Sequence, residues 1–160
     1  MSAIETRLAK LGLTLPDAPA PAANYVPFVR SGNLLHVSGQ ISQDENGLIT
    51  GKVGADLTTE QGAAAARRCA LSLLAQVKAA CGGDLGRLAR VVKLTGFVNS
   101  TPDFTEQPKV INGASDLMVE VLGETGRHAR SAVSAGALPL GVAVEIDGIF
   151  EVTDGKYELR

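Results

Sequence analysis

The sequence predicts an α+β domain of two layers, a mostly antiparallel sheet with two helices on one face. Three observations predict it. Two segments repeat small or apolar residues at helical spacing: Ala66, Ala70, Leu73, Val77 and Ala80 in one, Val110, Ala114, Leu117 and Val121 in the other. Between and around them lie short β-type runs, of which the last alternates Val142, Val144, Ile146, Phe150 and Val152 with Ala143, Glu145, Asp147 and Glu151. Two helices and several strands in this order pack most economically with both helices on one sheet face.

The elements follow in order. Ser2 and Glu5 form a capping box for a short accessory helix with Ile4, Leu8 and Leu11 in one stripe and Gly12 at its end. The stretch LPDAPAPAANYVP reads as an extended connector. Phe28 to Arg30 and Leu34 to Val37 read as strands joined by the Gly32-Asn33 turn, and Asn46-Gly47 marks a turn before Leu48-Ile49. Thr58 and Gln61 cap the first long helix, which Gly82-Gly83 stops. Val91 to Val98 reads as a strand, and Pro108 and Gly123 bracket the second long helix. Residues 1–160 form one domain: helix and connector over 1–23, a core over 24–152 and a polar tail over 153–160.

Composition excludes several function classes. A chain of 160 residues with 45% hydrophobic and 20% charged residues can bury a core unaided. Its 15 basic and 17 acidic residues give a formal charge of −2, and its basic clusters, Arg67-Arg68 and Arg127 to Arg130, are short, which argues against nucleic acid as partner. Cys69 and Cys81 lie twelve residues apart on one helix, about 18 Å along its axis, too far to pair with each other; reduced core thiols point to the cytoplasm. No signal peptide or apolar membrane span is expected. His36 and His128 lack metal-ligand spacing and company, so neither metal nor cofactor is expected. A phosphate-cradling glycine loop and a serine-nucleophile motif are both missing.

The candidate site lies in residues 126–152. Arg130 stands in an otherwise uncharged run, Ala129 to Val144, which reads as strand, tight Gly-Pro turn and strand. If these strands share a sheet, Arg130 and Glu145 face one cleft, the first a two-point carboxylate clamp and the second a group that moves a proton or holds a water. An Arg130–Glu145 ion pair, or two independent surface charges, satisfies the same pattern.

Arg-Ser-Ala-Val from Arg130, then Leu138-Pro139, then Val144-Glu145-Ile146 resembles the C-terminal signature of the Rid/YjgF family, the reactive-intermediate imine deaminases also called the endoribonuclease L-PSP family. Ser38-Gly39-Gln40 with Tyr25 upstream, the segment Phe97 to Phe104, and Asn112 are similar to its further motifs, and the resemblance spans residues 24 to 152. It implies a chorismate-mutase-like fold and a homotrimer with clefts between subunits. It implies also that Arg130 clamps the carboxylate of a small 2-imino or 2-oxo acid and that Glu145 positions and deprotonates the attacking water. Ser38, Gly39, Phe97 and the backbone at Ala132 would line the pocket, Tyr25 would cover it from an adjoining chain, and Asn112 would add a polar contact. Ala132 stands where many members have cysteine, and His128 where proline is common. The implied activity is hydrolysis of reactive imines or enamines to oxo acid and ammonia. The alternatives are a non-catalytic sensor of small oxo or amino acids and, third, an endoribonuclease.

Overall fold

The computed structural model describes residues 1–20 and 23–154; most of the expected polar tail lies outside the described residues. Helix α1 (Ala3–Lys10) starts at the expected capping box, with Ser2 Oγ accepting from the Glu5 amide and Glu5 accepting from the Ser2 amide. Strands β1 (Phe28–Ser31) and β2 (Leu34–Ile41) form a hairpin, and the short β3 (Gln43–Asp44) and β4 (Gly47–Leu48) pair separately across a Glu45-Asn46 turn, one residue before the expected Asn46-Gly47, since Gly47 already pairs with Asp44. Helix α2 (Thr59–Ala80) precedes β5 (Leu88–Asn99), α3 (Gln107–Leu122), β6 (Ala129–Ala135) and β7 (Val144–Val152). The Thr58/Gln61 capping box, the stop at Gly82-Gly83 and the glycine at the end of α3 fall where the sequence places them.

The main sheet runs β1-β2-β7-β5-β6 and is antiparallel except for the parallel pair β5/β6. Helices α2 and α3 pack side by side on one face, and Phe150, Leu94, Ile146, Leu73, Ile111 and Leu117 are fully buried between the layers. The two helix backbones meet at Gly113, where any Cβ would land on the Ala63 carbonyl. The α+β two-layer expectation is met. Cys69 and Cys81 are both free and buried, and burial pushes both thiols up, as for inert core groups.

One expectation fails. Residues 126–152 do not fold as two neighbouring strands around a tight turn, because β5 lies between β6 and β7. The chain crosses from β6 to β7 past the end of β5, through a 3-10 turn at Pro139–Gly141. Lys52 pins that crossover by donating from Nζ to the Gly136 carbonyl (2.6 Å) and Asn99 Oδ1 (2.9 Å).

Candidate functional site

The inserted strand decides where the two charges point. Across the ladder Arg130 faces Leu94, and Leu94 faces Gly148. Leu94 is fully buried and a Cβ on Gly148 would meet Leu94 and Phe150, so this row lies on the helix side. Glu145 belongs to the opposite row, flanked by Phe97 on β5 and Ile41 on β2. Arg130 and Glu145 therefore occupy opposite faces of the sheet, two strands apart, and neither a shared cleft nor an ion pair exists within one chain. Alternation along each strand was right, but adjacency was assumed, and one intervening strand shifts which rows align.

Glu145 sits on the face that no helix covers. Opposite it, β2 carries a bulge: Val37 pairs with Gly148 and Gln40 with Ile146, so Ser38 and Gly39 together oppose Asp147. The extra residue turns the Gly39 backbone against the Glu145 side chain, as bulges beside functional sites commonly do. A Cβ on Gly39 would lie 2.5 Å from Glu145 Oε1, so any larger residue there displaces that carboxylate from its present position. Ser38 Oγ donates to the Val26 carbonyl (2.8 Å), which ties the bulge to the segment bearing Tyr25. Tyr25, Ser38, Gly39 and Glu145 line two adjoining cavities of about 380 and 660 Å³. The sequence-predicted residues Tyr25, Ser38, Gly39, Phe97 and Glu145 are thus brought together in one chain.

The Glu145 carboxylate has no salt bridge or side-chain hydrogen bond among the described residues. Burial between Ile41 and Phe97 pushes its pKa above the usual carboxylate value, and Asp147, two residues along the same row, pushes it further. Burial likewise raises Asp147, against the opposing pull of Thr95 and Lys93.

Arg130 anchors a second group on the helix side. Its Nη1 donates to Asn112 Oδ1 (2.7 Å) and Ser115 Oγ (3.2 Å), both on α3. His128 Nδ1 lies 2.6 Å from the Gly126 carbonyl, which can only accept, so Nδ1 carries the proton and Nε2 accepts from the Ser115 hydroxyl at 2.9 Å. That leaves Ser115 oxygen lone pairs for Arg130. Burial lowers the His128 pKa and Arg130 adds to the effect, outweighing the Gly126 hydrogen bond, so the surroundings favour the neutral ring. The Nη2 and Nε donors of Arg130 have no protein partner among the described residues, so one edge of the guanidinium is available to a ligand. Ala132, next in the same row, packs against the core opposite Gly96.

Sequence reasoning found Asn112 but not Ser115. Their separation of three positions on a helix that also faces Arg130 was the signal for it. It also missed the amide pair Gln40 and Gln76, because buried glutamines carry no pattern of their own.

A family profile described as "YjgF/chorismate mutase-like, putative endoribonuclease" matches residues 5–150. Protein TCP17 of Trypanosoma cruzi is 54% identical over 153 residues, covering 94% of this chain and 95% of that protein. The 2-iminobutanoate/2-iminopropanoate deaminase of Escherichia coli is 35% identical, covering 83% and 91%. Among solved structures, the protein Atu1372 of Agrobacterium tumefaciens, described as having unknown function, matches with a TM-score of 0.88 at 54% identity, covering 94% of this chain and 93% of that one.

Proposed function

From the premise that this chain belongs to the YjgF/chorismate mutase-like family, we propose that it hydrolyses reactive 2-imino or enamine acids to 2-oxo acids and ammonia, in clefts built from two copies of the chain. The observation that carries this reading is the separation just described. Glu145, Ser38, Gly39 and Tyr25 form one half of a site on the uncovered sheet face, while Arg130 and Asn112 form the other half beside the open edge of β6. A second copy that lays its β6 edge against the β2/β7 face unites the halves, and a closed ring of three copies satisfies every edge in the same way. The exposed Val133 and Leu34, on β6 and the open sheet face, support such burial.

The chemistry follows from the residues. The free edge of Arg130 binds the substrate carboxylate through two parallel hydrogen bonds. Glu145, ionised but held in a site that favours its protonated form, takes a proton from water as the water oxygen bonds to the imine carbon. It returns that proton to nitrogen, which gives the carbinolamine, and then relays the hydroxyl proton to the same nitrogen as the C–N bond breaks and the C=O bond forms, so imine plus water becomes oxo acid plus ammonia. Ala132 rather than cysteine at the middle of β6 leaves no thiol in this scheme, and none is needed. The reading as a polyanion binder is disfavoured by Arg67 and Arg68, which pair with Glu120 (3.5 Å) and Glu45 (3.3 Å).

The test measures ammonia released from freshly generated 2-iminopropanoate, titrates 2-oxo acids calorimetrically and measures mass by light scattering. Turnover by a trimer is expected. A monomer at micromolar concentration overturns the two-copy cleft, and binding of oxo acids without ammonia release makes the protein a sensor.

A further inference from the structure

The smaller of the two cavities beside Glu145 has, besides the residues already placed in the site, a wall that the chemistry above does not use. Its walls include Pro19 and Ala20 from the connector, Ile41 from β2, and Pro139 and Leu140 from the β6–β7 crossover, with the Glu145 carboxylate at one side. Its volume of about 380 Å³ exceeds what two or three carbons fill, since a water molecule occupies roughly 30 Å³. The larger cavity carries the two further titratable groups, Asp147 and His36, so Glu145 stands at the seam between that cavity and the one walled by Pro19, Ala20, Ile41, Pro139 and Leu140.

One feature holds this wall in place and another marks its mouth. Gln76 of α2, with 1% of its surface exposed, donates from Nε2 to the Pro19 carbonyl at 2.7 Å; the same amide lies 3.4 Å from Gln40 Oε1, and Gln40 donates to the Ser38 carbonyl at 2.9 Å. A buried amide relay thus straps the connector to the bulge that carries Ser38 and Gly39. On the other side Leu140 is the one non-glycine residue at positive φ among the described residues, at φ 59°, yet its side chain is 71% exposed. Left-handed backbone is unfavourable for leucine, and no packing within the chain compensates for it here, which points to function at the cavity mouth.

We infer that this compartment receives the side chain of the substrate, so that the protein prefers 2-imino acids with branched or larger apolar side chains over 2-iminopropanoate. The inference rests on the proposed deaminase reading for its placement of the imine carbon at Glu145. With that carbon at the seam and the carboxylate on a neighbouring copy's Arg130, the side chain has the compartment of Pro19, Ala20, Ile41 and Leu140 before it. Burial of the added methyl and methylene groups there favours the longer acid.

The experiment compares imines generated in place from leucine and from alanine by an amino acid oxidase, and separately titrates 4-methyl-2-oxopentanoate and 2-oxopropanoate. The parent protein is expected to favour the branched compound by about tenfold or more in kcat/KM and in Kd. Leu140→Gly, which suits its backbone better than leucine and so folds, is expected to lower that ratio several-fold. Ala20→Phe, which fills the compartment from the strap, is expected to lower it further. Equal affinities in the parent, or ratios unmoved by both variants, overturn the inference even where ammonia is released. A ratio that behaves as expected in binding, without ammonia from either imine, keeps the inference and removes the deaminase reading. Failure of both acids to bind overturns both.

Discussion

Glu5 and Glu145 are carboxylates in two regions of one molecule with opposite fates. Glu5 closes the capping box of α1 and pairs with Lys78 on α2 at 2.8 Å, and these hydrogen bonds hold its pKa down at about 2. Glu145 lies between Ile41 and Phe97 with no cation beside it and Asp147 nearby, and its pKa is raised. The fold has built around the first everything that stabilises its charge and around the second little that does. Glu5 is over-supplied with donors, as a structural carboxylate is; Glu145 is starved of them, which suits the proton transfer proposed for it.

The strongest challenge to that contrast is Glu145→Gln. The amide keeps the shape but accepts no proton, so turnover is expected to fall by about 10²–10⁴ while oxo-acid binding survives. Stability should move the other way. A group whose folded pKa is raised contributes most below its unfolded pKa, and that contribution is lost as pH rises through the folded value. At neutral pH the parent therefore carries an ionised Glu145 at a cost, and the variant's Tm is expected to be higher. A lower Tm, or turnover within a few-fold of the parent, places Glu145 with Glu5 as a structural charge. The parent's own activity should fall on acidification with an inflection above the usual glutamate value.

Arg130 is next in size. A charge-assisted hydrogen bond contributes roughly 1.5–3 kcal/mol, so Arg130→Ala is expected to weaken carboxylate binding about 10- to 100-fold by calorimetry. Arg130→Lys should not restore it, because an ammonium cannot satisfy Asn112 and Ser115 while offering a planar two-point edge. Parent-like binding by Arg130→Ala makes the arginine a tie between β6 and α3 only.

Gly39→Ala tests the close approach itself. The backbone at Gly39 is not left-handed, so alanine brings no conformational penalty, only a Cβ where Glu145 Oε1 now lies. The carboxylate must move by about an ångström. A displacement of that size at a reacting group costs up to about 10²-fold, and a fall in kcat of about tenfold is expected with a smaller change in Kd. An unchanged kcat means that the position of Glu145 does not matter.

The reach of the sequence differed between these regions. Glu5 was legible in full, because a capping box is a local pattern three residues long. Both long helices, their stops and the buried face of β7 were legible for the same reason, but the sequence placed Arg130, Ala132 and Ala143 on the uncovered face with Glu145, whereas Arg130 and Ala132 lie on the helix side and Ala143 is buried. The residues that lie together around Glu145 were all named from the sequence, yet their arrangement was not legible. The parallel pairing of β5 with β6 joins residues 36 positions apart and separates β6 from β7, which local alternation cannot reveal. The bulge at Ser38-Gly39 was hidden too, since it shows only as register against β7. Ser115, Gln76 and the left-handed Leu140 matter through partners distant in sequence, and nothing in their own neighbourhoods announces them.

The smallest expected effect sits at the other pole of the comparison. Glu5→Gln retains the side-chain oxygen that accepts from the Ser2 amide but loses the charge opposite Lys78. Exposed ion pairs contribute little, so a loss of at most about 1 kcal/mol at neutral pH is expected. The sign with pH is the informative part. A carboxylate with a depressed folded pKa contributes stability above its unfolded value and loses it as pH falls towards about 2. The difference in unfolding free energy between parent and Glu5→Gln should therefore be constant from neutral pH to just above the ordinary glutamate range, then shrink to nothing as pH approaches 2, in denaturant titrations at several pH values. For Glu145→Gln the same plot should have the opposite sign and reach its plateau at higher pH. If the two plots have the same sign, the charge at Glu145 is stabilised by its surroundings after all, and the distinction between the two carboxylates is lost.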